Sequence, residues 1–230
     1  MVFDPSLLHT LEALFTEEQH VFSFKKGTYL FQEGEAASNI FWLQSGKIQI
    51  GKVIPDGREL TIRISKAMDM LIEMALFEED ANYTMNARAI ESGEALVIPR
   101  RKLESALSSK TELMVQWLRY THNHHLRTQS KLRDLVLNGK KGGVYSTLIR
   151  MGNTFGEKTE DGLRLNVSLT NQEMANLCGT SREVVNRLLS ELRKEGIIKM
   201  KRNRIILCDI DYLKQEVNCE NCPIDMCQID

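Results

Sequence analysis

Three of the chain's five cysteines fall within nine residues, as Cys219, Cys222 and Cys227 in the order Cys-x2-Cys-x4-Cys. Thiolates are soft ligands, and a Cys-x2-Cys loop lets two of them face one point, so the segment suits metal binding. Pro223 stiffens the return toward Cys227. A disulfide framework fits poorly, because the cysteine count is odd and the chain reads as cytoplasmic, residues 1–10 having neither a charged n-region nor an apolar run. Three thiolates are one ligand short of tetrahedral zinc or of a four-iron cluster. Spacing favours neither: Cys208, eleven residues upstream, could complete a zinc site, and a more distant residue could complete an iron–sulfur site. Free thiols are a third, lesser reading. Cys178 stands apart and reads as a small packed residue.

A second group of residues suits nucleic acid. Residues 169–198 carry two helix starts of one form, Thr170 followed by Glu173 and Thr180 followed by Glu183, each with capping-box spacing. Gly179 between them can take the positive φ that a tight turn between helices demands. In the second helix Val185, Leu188, Leu189 and Leu192 form a buried stripe, which leaves Arg182, Glu183, Asn186, Arg187 and Ser190 outward. That is a helix-turn-helix whose second helix can enter a major groove. Beyond Gly196, two short apolar runs flank Lys199, Lys201, Arg202, Asn203 and Arg204, the pattern of a hairpin wing with a basic tip for phosphates. Thr170 and Ser181, at the helix starts, join Lys201, Arg202 and Arg204 as candidates for contacts to the DNA backbone.

The rest of the chain must position these two groups. Its 230 residues suit two modest domains, and no apolar run approaches membrane-spanning length. The net charge of −1 hides a division: residues 139–207 hold 13 Lys and Arg against 7 Asp and Glu, while residues 1–110 hold 12 against 16. A basic segment on a nearly neutral chain points to sequence-specific rather than indiscriminate DNA binding.

Short apolar runs at 29–31, 40–43, 48–50, 60–64 and 95–98, broken by glycines and by the Asp56-Gly57 turn, predict an N-terminal β-roll of the cupin-like jelly-roll kind. This roll, residues 1–110, has no histidine between 24 and 99, so a metal-dependent enzyme of that fold is set aside. Residues 111–138 predict a helix longer than one small domain needs, with Leu113, Trp117, Tyr120 and His124 on one face and Leu132 and Leu135 continuing an apolar seam. Such a helix pairs with its own copy, making a homodimer. His122 and His125 lack a nearby third ligand and read as surface or interface residues. Residues 138–143 are expected to form a hinge, with a helix from Val144 to Phe155, a strand over 163–169, and a last helix over 211–217. The winged domain then covers 139–218 and the cysteine tail 219–230. The fold class is α+β.

With these residues in view the chain resembles the CRP/FNR family of transcription regulators over about residues 22–207. Lys26-Gly27-Thr28-Tyr29-Leu30-Phe31-Gln32-Glu33-Gly34-Glu35, Ser45-Gly46-Lys47-Ile48, Asp56-Gly57-Arg58-Glu59 and Ser181-Arg182-Glu183-Val184-Val185-Asn186-Arg187 carry the likeness. It implies a cytoplasmic homodimer that binds palindromic double-stranded DNA and works with RNA polymerase, as an activator. Members that bind cyclic AMP use a Gly-Glu pair and a following Arg. Here Ile72-Glu73 replaces the pair and residues 81–85 hold no Arg, so no cyclic nucleotide is expected.

The chain has no cysteine before Cys178, which sets it apart from the enteric FNR proteins and likens it to the Bacillus-type FNR. That likeness implies a 4Fe-4S cluster on Cys219, Cys222 and Cys227, with Asp134 as the fourth ligand, and an oxygen-responsive role in anaerobic metabolism. A zinc-stabilised regulator sensing another signal through the roll is the alternative. The likeness also implies that Arg182, Glu183 and Arg187 read a half-site within a TGTGA-N6-TCACA-like palindrome, arginine bidentate to guanine and glutamate accepting from cytosine. Replacing Arg182 by Ala should weaken binding by roughly 1 to 3 kcal/mol and relax specificity at one base pair. Binding assays on single-base variants of the palindrome test this, and a uniform loss across all of them would refute the base contact.

Overall fold

The computed structural model describes residues 13–16 and 20–229. They divide into two compact units, one ending at Asn123 and one running from His124 to Ile229.

The first unit is built on two four-stranded antiparallel sheets. One has the order β1 (Val21–Phe24), β8 (Gly93–Pro99), β3 (Asn39–Leu43), β6 (Met70–Leu71), and the other β2 (Tyr29–Phe31), β7 (Asn86–Glu91), β4 (Lys47–Val53), β5 (Glu59–Ser65). Phe24, Phe41, Leu43 and Val97 from the first sheet meet Phe31, Ile48, Ile50 and Ala87 from the second, and this is the core between them. Tyr83 stacks on Phe31 with ring centroids 4.0 Å apart. The back of the first sheet is also covered. Ile40, Trp42 and Ile98 pack there against Leu103 and Leu107 of α1 (Arg100–Ser109) and against Leu113, Trp117 and Tyr120. A strand buried on both faces needs no polar alternation, which is why Ile40-Phe41-Trp42-Leu43 is continuously apolar.

The strands expected at 29–31, 40–43, 48–50, 60–64 and 95–98 are present with small changes at their ends. Three more were not expected. In β7, Ala87 and Ala89 face the core while Asn86, Arg88 and Glu91 do not, so a central strand is made from residues of low β propensity.

Residues Leu113, Trp117 and Tyr120 begin the long helix α2 (Thr111–Leu137). The apolar seam differs from expectation, since Leu135 is half-buried while Leu132 and Val136 are 60% and 68% exposed. Exposed Val115, Leu118, Leu132 and Val136 fall on one stripe of a 3.5-residue repeat, the pattern of a helix that pairs with its own copy.

In the second unit the expected hinge contracts to Asn138, and α3 runs over Gly139–Phe155. Gly139 makes the turn at φ +60. Gly142 and Gly143 are inside the helix because neighbours leave no room: a Cβ on Gly142 would collide with the Asn138 side chain, and one on Gly143 would lie 3.2 Å from Leu135 Cδ2. After α3 the strand expected over 163–169 ends at Leu165, as β10 (Gly162–Leu165), paired with β9 (Gly156–Thr159). Then come α4 (Asn171–Cys178), α5 (Arg182–Lys194), the wing strands β11 (Ile198–Lys201) and β12 (Arg204–Leu207), and α6 (Ile210–Glu216). The four strands form one sheet ordered β11-β12-β10-β9.

The capping box at Thr170 and Glu173 is present with both its hydrogen bonds. The one expected at Thr180 and Glu183 is not. Gly179 adopts φ 58 and ψ 35, and the Thr180 N–H closes α4 on the Ala175 carbonyl at 3.1 Å, so the next helix starts one residue later. Ser181 is its N-cap, accepting from the Val184 N–H at 3.4 Å. Leu192 of α5 is fully buried. Leu192→Ala should therefore lower stability by about 2 to 5 kcal/mol. Chemical denaturation measures it, and a loss below about 1 kcal/mol would show that this face is not packed as described.

Candidate functional site

The second unit carries two candidate sites. At the first, Val185, Leu188 and Leu192 are buried, which fixes the rotation of α5 and turns Arg182, Glu183, Asn186 and Arg187 outward. The Glu183 carboxyl is held below its ordinary range by its own backbone N–H and by Ser181. It therefore remains a charged acceptor at the helix start. Arg187 forms an i,i+4 pair with Glu191 at 3.0 Å, an exposed contact that a stronger partner could displace. Thr170 forms its capping box, both its N–H and its hydroxyl being engaged with Glu173.

The wing turns tightly because Arg202 and Asn203 both adopt positive φ, 50 and 59. Arg202 is exposed at its tip and Arg204 half-buried. Lys199 and Lys201 are shared with Asp161, at 3.1 and 3.2 Å, so part of the basic charge expected there is already paired.

The second site is a cavity of about 180 Å³. Asp134, Cys219, Cys222 and Cys227 all line it, bringing together residues up to 93 positions apart in the chain. Asn218 and Asn221, at φ 47 and 52, bend the tail around Cys219, and a 3-10 turn over Ile224–Met226 returns it so that the Cys227 N–H reaches the Ile224 carbonyl at 3.0 Å. The three thiols are half-buried and none is in a disulfide. Burial pushes the Cys227 thiol above its ordinary range. Arg150 opposes that shift, while Cys219, Cys222 and Asp134 add to it, so the Cys227 thiol senses the other three candidate donors. Among the described residues no three His, Cys, Asp or Glu side chains are gathered tightly enough to hold a metal ion as they stand.

Asp134 is the most constrained of the four. Its Oδ2 accepts from Ser146 Oγ at 2.7 Å and from Arg150 Nη2 at 2.6 Å, and its Oδ1 accepts from Arg133 Nη2 at 3.1 Å. Burial would raise its pKa, but the hydrogen bonds from Arg150 and Ser146 outweigh this, and the carboxyl lies below its ordinary range. Arg133 also donates to Glu220 and lies 4.0 Å from Cys222 Sγ. Arg133, Ser146 and Arg150 were not singled out from sequence. The only signal available was an arginine inside a run of apolar and small helix residues.

Neither remaining cysteine joins the cavity lining. Cys208, which could complete a zinc site, has its sulfur 3.9 Å from the Ile206 carbonyl. Cys178 is packed in the helix-turn-helix, and burial pushes its thiol up to about 11. His122 and His125 are exposed on α2.

In the first unit Glu73 is already occupied. Arg63 donates to it through Nε at 3.2 Å and through Nη2, and also reaches Ser65 Oγ at 2.7 Å and the Met70 carbonyl. The pair is nearly buried, and although desolvation disfavours its charge, Glu73 holds the Arg63 pKa above its ordinary value. The residue that resembles a nucleotide ligand thus serves an internal ion pair.

Comparison with known proteins agrees with this architecture. Residues 21–110 match the family described as the cyclic nucleotide-binding domain, and residues 144–216 match the Crp-like helix-turn-helix domain. The anaerobic regulatory protein of Bacillus subtilis is 44% identical over 225 residues, covering 97% of this chain and 93% of that protein. A CRP-like cAMP-activated global transcriptional regulator of Mycobacterium tuberculosis is 31% identical, covering 87% of this chain and 89% of its own length. A CRP-family transcriptional regulator from Thermus thermophilus shares the fold, with a TM-score of 0.70 at 24% identity over 86% of this chain and 96% of that one. Because Glu73 is engaged by Arg63, calorimetric titration of the purified protein with cyclic AMP should give no saturable heat. Micromolar binding would overturn that expectation.

Proposed function

We propose, from the premise that this chain belongs to the CRP/FNR family of transcription regulators, that it is an oxygen-responsive regulator of anaerobic metabolism that reads a TGTGA-N6-TCACA-like palindrome as a homodimer. As a member of that family it is a DNA-binding regulator and not an enzyme. The observation that carries the finer reading is the convergence of Cys219, Cys222, Cys227 and Asp134 on one cavity. The donor set has the chemistry an iron–sulfur group uses: three thiols outside any disulfide, and a carboxylate. A 4Fe-4S cluster held there would supply iron chemistry that responds to oxygen.

The chain's own residues would do the rest. The three thiolates would be the strong ligands, since soft donors suit iron–sulfur chemistry. Asp134 would be the harder and weaker one, and it is already bound to Ser146 and Arg150. That carboxylate is on α2 while the thiols are on the tail beyond α6, so the donor set joins the long helix to the end of the DNA-binding domain. Outward Arg182 and Arg187 suit guanine, and Glu183 suits cytosine. RNA polymerase is the expected protein partner. Cyclic nucleotides are not expected ligands, because Arg63 engages Glu73. The relative named as cAMP-activated shows that the family includes such members.

The protein should be purified without air and its iron, sulfide, zinc and visible spectrum measured, followed by DNA binding before and after air is admitted. A band near about 400 nm that bleaches in air while DNA affinity changes is the expected result. Cys222→Ala should abolish the band. A colourless protein containing zinc and binding DNA equally in both states would replace this reading with the zinc-stabilised regulator.

A further inference from the structure

The tail is held by hydrogen bonds to its backbone. Arg127 Nε donates to the Asp225 carbonyl at 2.7 Å, Asn153 Nδ2 to the Cys227 carbonyl at 2.7 Å, and the Ile229 N–H to Thr154 Oγ1 at 3.0 Å. Ile229 itself is 1% exposed. These contacts use backbone groups of the tail and neither the thiols nor the Asp134 carboxylate, so they hold the tail independently of what the four donors bind.

At the centre of the same contacts is Arg150, whose side chain is 1% exposed. Its Nη1 donates to the Met226 and Gln228 carbonyls at 3.2 and 3.4 Å, and its Nη2 to Ser130 Oγ at 2.9 Å and to Asp134 Oδ2 at 2.6 Å. A buried guanidinium needs a counter-charge, and the ion pair it makes is with Asp134. The carboxylate expected to be the weak ligand is thus the anion that Arg150 requires.

We propose that Arg150 is a positioning residue that competes with the cofactor for Asp134, so that loss of the cofactor transfers this carboxylate to the arginine while the tail stays docked. The proposal rests on the iron–sulfur reading. It differs from a simple tether in what moves: one side chain changes partner, and the α2, α3 and tail segments remain joined. Transfer of Asp134 to Arg150 favours the emptied state, so the arginine makes the aspartate ligand easier to lose. Removing the arginine should therefore slow that loss, even though it removes contacts from the tail.

The test uses the full chain with Arg150→Met, Arg150→Lys and Ser146→Ala. On admission of air, Arg150→Met should lose its visible band about tenfold more slowly than the unaltered protein, Ser146→Ala should fall between them, and Arg150→Lys should restore part of the rate. A second measurement uses cofactor-free protein. Denaturation of Asp134→Asn, Arg150→Met and the double variant should show strong coupling, the double being far less unstable than the two single losses together. If Arg150→Met bleaches as fast as the unaltered protein or faster, or if the coupling is absent, the proposal is overturned. Should Arg150→Met fail to fold, the Ser146→Ala and Arg150→Lys rates decide it by the same ordering. If the unaltered protein never becomes coloured, the iron–sulfur reading fails, while the cofactor-free coupling still reports on the ion pair.

Discussion

The ion pair between Asp134 and Arg150 is the contact on which the second unit depends. Two charges are nearly removed from water there, which costs several kcal/mol apiece unless each is matched. They match one another, and the remaining donors and lone pairs find Ser146, Ser130, Arg133 and two tail carbonyls. Such a pair does not surpass a well-packed apolar contact in stability. Its effect is to admit few arrangements: α2, α3 and the tail must stand where every donor is met. The glycines of α3 let it approach its neighbours closely enough for this. From α3 the order passes to α4 and α5, whose buried stripe sets which side chains face DNA.

The first unit contains a second, nearly buried pair, between Arg63 and Glu73. Around Asp134 the cavity is left open beside the pair, and thiols complete its wall. Around Glu73 the arginine donates to the carboxylate's Oε1, to Ser65 and to a backbone carbonyl.

Much of this was legible in the sequence, and the failures have physical causes. The five expected strands were visible because apolar runs broken by glycine have few other uses, whereas β7 was hidden by alanines that fill a tight core. The Thr170 cap was readable because its partner lies three residues away. Thr180 has the same spacing but was misleading, since Gly179 had already directed its N–H back to α4. The glycines at 142 and 143 suggested a flexible joint, and only the packing of Asn138 and Leu135 shows that they are small for want of space. Cys219, Cys222 and Cys227 announced themselves by density. Asp134 came only from a family likeness, and Arg150 from neither, because its partners lie 16 residues before it and 76 after it in the chain.

The composition of α3 bears on how the domain folds. Glycines 142, 143 and 152 lie inside this one helix, and each disfavours helix by about 1 kcal/mol relative to alanine. A segment so poor in intrinsic helicity has little reason to be ordered before its neighbours arrive. It is nonetheless the element that α4, α6 and β10 pack against. Helix and surroundings must therefore form together, which makes the DNA-binding unit a single cooperative block rather than a set of helices assembled in turn.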